Sequence, residues 1–287
     1  IILSPGIDIN KCKLSKFLKK NSSKIYSDLD VFYAFYKNNC ITITGTNGKS
    51  TTCQLMYEVL LDQKFDVRLV GNIGNPILSE KKIKKNTVFV IEASSYQLDY
   101  SKIFRANIAV ILNITPDHLE RHRSLKNYIR AKFKLIKIQK KENFAILNTN
   151  NFYIKNQLNN RNYLPKIIKV KKNIESSILK KLNNPYFTTD GNKENLSFVI
   201  EIAKLFKIKK ENLIKVINNF KGLNFRQQII FKSKSLTIIN DSKATSFSSS
   251  TSILKSMSNV FWILGGLAKK GDKFLLSKND CKSFKAY

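Results

Sequence analysis

The run Ile41-Thr42-Ile43, followed by Gly45-Thr46-Asn47-Gly48-Lys49-Ser50-Thr51, constrains this chain more than any other stretch. The first three residues are β-branched and read as a strand, and a helical pattern begins at Ser50. Two glycines lie between, and glycine lets the backbone wrap close to a ligand. Free amides at a helix start, with the helix dipole behind them, favour phosphate. Lys49 is placed to reach the terminal phosphates, and the Ser50 hydroxyl to ligate Mg²⁺. The strict phosphate-loop spacing is not met, because Ile43 occupies its first glycine position. A plain glycine turn with a solvated lysine is the competing reading. It leaves the preceding strand and the Gly-Lys-Ser-Thr run unexplained.

Around this turn the chain alternates between two patterns. Apolar, β-branched runs occur at Cys40–Thr44, Val67–Val70, Val88–Ile91, Ile108–Ile114, Phe144–Leu147, Ile229–Phe231, Leu236–Ile239 and Val260–Leu264. Helical patterns occur at Ser50–Gln63, Leu125–Ile138, Asn195–Phe206, Glu211–Phe220 and Ser248–Met257. Strands alternating with helices predict α/β architecture with parallel sheets, whose sites form at the carboxyl ends of strands. The segment Asn148–Asn184 is polar and weakly patterned. Lys221–Phe225 is the best linker candidate, because Gly222 follows a helix and a strand begins soon after.

The chain has 287 residues, enough for two or three domains. Its formal charge is +31, and 44 of its 51 basic residues are Lys. These lysines are scattered and accompany many Asn and Ile, which reads as codon bias, so no nucleic-acid partner is expected. A basic surface would still attract an anionic nucleotide sugar and ATP. No apolar run approaches the roughly 18 to 20 residues that span a bilayer. The four cysteines form no C-x-x-C pair and read as free cytosolic thiols. Ile1–Gly6 reads like a buried strand ending in a turn with nothing to pair with, and the last segment stops soon after a strand. The expectation is an internal part of a longer cytoplasmic protein, with activity requiring the full length.

Six stretches carry a resemblance. Thr44–Thr51 (T-G-T-N-G-K-S-T) resembles the Mur ligase and folylpolyglutamate synthase superfamily. Ser4–Ile7 (S-P-G-I), Gly71–Pro76 (G-N-I-G-N-P), Ile91–Leu98 (I-E-A-S-S-Y-Q-L), Asn113–Arg121 (N-I-T-P-D-H-L-E-R) and Ile239–Thr245 (I-N-D-S-K-A-T) narrow it to the D-glutamate-adding Mur ligases. The last of these discriminates best against the sister ligases and the folate enzyme. The resemblance implies a central P-loop-type parallel-sheet ATPase domain over residues 38–222. It implies the remnant of an N-terminal UDP-binding domain over 1–37, and a partial Rossmann-like C-terminal domain over 223–287. It also implies a monomer that uses ATP and two Mg²⁺ to join UDP-N-acetylmuramoyl-L-alanine to D-glutamate through an acyl phosphate.

Site residues follow. Gly45, Thr46, Asn47, Gly48, Lys49, Ser50 and Thr51 are expected to bind ATP. Glu92 is acidic after four apolar strand residues, a metal-ligand candidate, and the resemblance supports Mg²⁺ there. His118, one of only two histidines, is implied at the second metal and the substrate carboxylate; His122 is expected on the surface. Lys132 would pass for one more lysine on a basic helix, but the resemblance implies a carbamylated lysine that helps hold Mg²⁺. Asn72 and Gly6 are implied in UDP-sugar binding. Asn192 and Asn195 are implied at adenine, although Gly191 stands where the family has His, and an Asn192 N-cap is compatible. Arg226 matches a linker arginine that approaches ATP phosphate, with Phe225 and Gln228 replacing the family's His and Glu. Asp241 is implied near the ribose, and Lys243, Thr245 and Lys269 (or the adjacent Lys270) at D-glutamate.

Overall fold

The computed structural model describes residues 1–170, 174–267 and 272–287. Its main body is a six-stranded sheet of β1 (Asn39–Thr44), β2 (Val67–Gly71), β3 (Val88–Glu92), β4 (Ile108–Ile111), β5 (Phe144–Asn148) and β6 (Lys166–Val170). The spatial order is β2-β3-β1-β4-β5-β6, and every pairing is parallel. From β1 the chain passes to the edge strand β2, returns to β3 between the two, then crosses to β4 on the other side of β1. That change of side puts the topological switch point at β1 and β4, and α/β sheets place ligands beyond the carboxyl ends of strands at such a point.

The strand sequences explain why both faces are covered. Ile41, Ile43, Val88, Val90, Val110 and Ile146 point to one apolar layer, and Cys40, Phe89, Ile91, Ala109, Ile111 and Leu147 to the other. Successive strand residues face opposite sides, so only near-continuous apolar runs can feed two cores. Eleven α-helices accompany the strands among the described residues. They are α1 (Ser15–Lys20), α2 (Asp28–Phe35), α3 (Lys49–Asp62), α4 (Ser95–Tyr100), α5 (Leu119–His122), α6 (Leu125–Lys137), α7 (Phe152–Asn159), α8 (Ser176–Leu179), α9 (Asp190–Leu205), α10 (Lys210–Asn219) and α11 (Phe247–Ser256). Helices α3, α9 and α10 cover the first layer, and α2, α6 and α7 the second. Two small pairs complete the sheets: β7 (Gln228–Lys232) with β8 (Thr237–Asn240), and β9 (Val260–Trp262) with β10 (Phe284–Ala286).

The patterned elements agree with expectation to within a few residues, and three readings need correction. Ile1–Gly6 is no buried strand: Ile1 and Ile2 are exposed, and a single bridge joins Ile2 to Tyr26. The weakly patterned stretch 148–184 contains α7, β6 and α8. Strand β6 is an edge, and its Lys-Ile-Ile-Lys run does not alternate, so it gives a weak signal. Strands β7 and β8 pair antiparallel, because the turn between them is too short for a crossover helix. Among the described residues no helix is long and apolar enough to cross a membrane.

Candidate active site

Parallel strands in near-level register end together, and that alone assembles the site. Ile43 pairs with Glu92, Thr44 with Ile111, and Gly71 with Glu92. The loop 45–50, Glu92, Asn72 and the segment after β4 therefore share one edge.

The loop is held from the β4 side. Asn113 accepts from the Thr46 amide at 2.9 Å through its carbonyl and from the Asn47 amide at 2.8 Å through Oδ1. The Thr115 amide donates to Thr46 Oγ1 at 3.0 Å, and Tyr128 OH lies 3.0 Å from the same oxygen. Gly48 caps α3 in the left-handed region at φ +84, where a Cβ would lie 2.0 Å from Asn195 Oδ1. Asn195 and the turn thus fit each other only because position 48 has no side chain. Lys49 donates to the Gly45 and Thr46 carbonyls at 2.9 and 2.7 Å, folded back over its own loop. Burial lowers its pKa, and the charges of Glu92 and Asp117 pull it back up. Ser50 and Thr51 are buried at the head of α3.

Glu92 is 1% exposed. Its Oε1 accepts from Asn72 Nδ2 at 2.8 Å, and its Oε2 has no hydrogen-bond partner among the described residues. Gly71 makes that pairing possible: at φ +104, a Cβ there would sit 2.4 Å from the Glu92 carbonyl. A buried carboxylate oxygen without a hydrogen-bond partner is costly, and a cation would satisfy it. Lys132 points inward from the apolar face of α6 and is also 1% exposed. Its Nζ donates to the Gly45 carbonyl at 2.8 Å and lies 4.6 Å from the Tyr128 ring centroid. Burial, then the neighbouring Lys49 charge, hold its pKa well below the ordinary lysine range.

His118 adopts φ 55 before α5, with Nε2 3.3 Å from Asp117 and Nδ1 3.7 Å from Glu120. Its ring lies 5.1 Å from that of Tyr96. His122 is not on the surface. It is buried, its Nε2 lies 2.9 Å from Ser95 Oγ, and it packs against Tyr96 and Tyr128. One turn of helix carries it inward, beneath α4 and α6. Burial pushes its pKa down to about 4. The unfolded chain takes up a proton below about 6.5, and the folded one resists until about 4. Stability therefore falls as pH drops across that window, by up to about 3 kcal/mol. A His122→Phe variant is expected to lose this part of the acid dependence. Thermal unfolding of both proteins from pH 7 to 4 checks it, and parallel curves would contradict it.

A second group gathers where the chain leaves α10. Asn192 donates to the Tyr186 carbonyl at 2.8 Å and to Gln227 Oε1 at 3.2 Å. The cap of α9 is Thr189, not Asn192, which frees the Asn192 side chain for this bridge. The Gln227 amide donates to Asp241 Oδ1 at 3.1 Å, while Asp241 Oδ2 is buried without a hydrogen-bond partner among the described residues. Burial raises the Asp241 carboxyl to about 6, against the pull of that amide and of the Arg226 charge. The field of Arg226 also reaches Lys49, so the linker arginine and the loop lysine share one electrostatic neighbourhood.

Other expected positions are less engaged. Gly6 lies in an open turn whose next carbonyl, that of Ile7, accepts from Tyr100 OH at 2.7 Å and Arg121 at 2.9 Å. Lys243 and Thr245 are exposed between β8 and α11. Lys269 and Lys270 lie outside the described residues. Asn113, Tyr128, Tyr186 and Gln227 were not singled out from sequence. Asn113 at the end of an apolar run was the one available signal; the rest are ordinary residues until folding brings them to the loop.

Among the described residues no group of three or more His, Cys, Asp or Glu converges as a ready-made metal cage. Ser50 and the orphaned Glu92 oxygen nevertheless suit a hard cation that also takes phosphate oxygens, which need few protein ligands.

A family model described as the Mur ligase middle domain matches residues 43–222. A UDP-N-acetylmuramoylalanine--D-glutamate ligase of Rickettsia bellii (strain RML369-C) is 34% identical over 292 residues, covering 94% of this chain and 64% of that protein. The chain thus spans just under two thirds of that relative's length. Among solved structures, MurF from Acinetobacter baumannii superposes with a TM-score of 0.64 at 16% identity, over 82% of this chain and 58% of that one. MurF ligase from Thermotoga maritima, solved in complex with ADP, gives 0.64 at 14% identity, over 86% and 63%. At such identities the likeness is one of fold.

Proposed function

This chain belongs to the Mur ligase family, and on that premise we propose that it carries the ATP-using core of a ligase joining D-glutamate to UDP-N-acetylmuramoyl-L-alanine. The observation that carries the reading is the pairing of the phosphate loop with a buried, half-partnered Glu92 at the same sheet edge. Relatives named for D-glutamate ligation at 34% identity support the choice of acceptor. Residues 1–37 serve the UDP end, 38–222 the ATP, and 223–287 the incoming amino acid, in a monomer working in the cytoplasm.

A carboxylate is a poor electrophile, so its activation by the ATP γ-phosphoryl group comes first. The amine of D-glutamate then attacks the acyl phosphate, and phosphate leaves. Such transfer depends on positioning and charge neutralisation rather than on a covalent nucleophile. The amides of Gly45–Ser50 cradle the phosphates, and Lys49 swings from its own carbonyls onto the terminal one. Asn192, Asn195 and Asp241 hold the nucleoside end and Arg226 approaches the phosphates, while Gly6 and Asn72 bind the UDP-sugar and His118 orients its carboxylate. Lys243, Thr245 and Lys269 receive D-glutamate. Mg²⁺ would be held by Ser50, Glu92, His118 and a carbamylated Lys132, supplying Lewis-acid neutralisation of phosphate charge. Only an unprotonated amine adds to CO₂, and the lowered pKa of Lys132 keeps more of its amine in that form.

An acceptor screen on the full-length protein tests the reading. With ATP and UDP-N-acetylmuramoyl-L-alanine present, phosphate release is expected with D-glutamate and not with L-lysine. Turnover only with a folate donor would replace this reading by its sister.

A further inference from the structure

The phosphate loop is touched from a direction the family motif does not contain. Ser249, on the first turn of α11, donates from Oγ to Asn47 Oδ1 at 2.9 Å. Asn47 is the loop residue whose backbone Asn113 already fixes from the sheet side. Ser249 Oγ also lies 2.9 Å from Ser246 Oγ. Since the Ser249 proton goes to Asn47, Ser246 is the donor in that pair, and the two hydroxyls form a short directed chain ending on the loop.

Helix α11 is seated firmly enough to hold this contact in place. Leu254 and Ser250 are buried, and Phe247 packs edge-on against Trp262 and Phe274. At its amino terminus the Phe247 amide donates to Asp272 Oδ2 at 2.8 Å, placing a carboxylate at the positive end of the helix. The contact spans 202 residues of sequence and joins two units: the loop belongs to the six-stranded sheet, and α11 follows the β7–β8 hairpin.

We propose that Ser249 is a positioning residue. Its hydroxyl holds Asn47 in the phosphate-cradling conformation, and so makes nucleotide affinity depend on α11 being docked. This rests on the ATP-binding reading above, and goes beyond it by giving the conformation of Asn47 itself a support on α11. One neutral hydrogen bond corresponds to about a fivefold change in affinity.

Titration of full-length protein with a fluorescent ATP analogue, without donor or acceptor, tests the proposal separately from turnover. Ser249→Ala is expected to weaken analogue binding about fivefold, and Ser249→Thr, which keeps the hydroxyl, to restore most of it. In steady state the Ser249→Ala loss should fall on the ATP KM, with kcat and the D-glutamate KM nearly unchanged. Equal affinity of Ser249→Ala and wild type would overturn the proposal, as would a threonine variant as weak as alanine, which indicates packing rather than hydrogen bonding. A wild type that bound no nucleotide would instead overturn the ligase reading, and this inference with it.

Discussion

Replacing Lys132 with alanine is expected to lower ligase turnover by on the order of a thousandfold, with partial recovery in millimolar acetate or propionate. The side chain is an amine 1% exposed, directed at the Gly45 carbonyl and Thr44 Oγ1 beside the Tyr128 ring. Burying an ammonium for stability alone makes little sense, since an apolar residue of similar volume would fit at less cost. The same burial lowers its pKa and favours the neutral amine that CO₂ needs. If the working form is a carbamate, a small carboxylate diffusing into the alanine cavity supplies what was lost. Lys132→Met is the fold control, since it fills the volume without the amine. Full activity of the unrescued alanine variant would remove Lys132 from the reaction altogether. Failure of rescue in a folded variant would leave a lysine that acts as an ammonium.

Glu92→Gln should have a comparable effect for a different reason. Glutamine keeps the shape and keeps an acceptor for Asn72 Nδ2. What it removes is the negative charge facing Lys49 and Lys132 and the unpartnered Oε2. Loss of a cation-binding carboxylate forfeits several kcal/mol of transition-state stabilisation, or on the order of a hundred- to a thousandfold in rate. Stability should move little. The desolvation cost that glutamine relieves opposes the attraction to the two lysines that it gives up. Steady-state rates across a Mg²⁺ titration, with thermal unfolding alongside, check both halves. Turnover within threefold of wild type would rule out the proposed role of Glu92.

How the loop was legible, and its neighbours were not, follows from the range of the interactions. Gly45–Thr51 is a local device: strand, turn and helix start are adjacent in sequence, so the local pattern carries its meaning. Glu92 was legible for a similar reason, because a charge closing an apolar strand run is anomalous where it stands. His122 carries no sequence sign of burial, since only the packing of α4 and α6 over α5 turns it inward one turn past His118. Lys132 looked like any lysine of a basic helix until its face was known to be the buried one. Tyr128, Tyr186, Gln227 and Ser249 carry no local anomaly at all.

The phosphate loop therefore divides the two sources of information. The sequence by itself determined the parallel α/β body and the strand–turn–helix form of the loop, because alternation of apolar runs and the torsional freedom of glycine act over a few residues. Tertiary structure decided what the loop is held by. Level register of parallel strands brought Glu92 and Asn113 beside it, the buried face of α6 aimed Lys132 at its carbonyl, and the docking of α11 placed Ser249 on Asn47. Those contacts join residues far apart in the chain, and their geometry exists only once the cores that position them have closed.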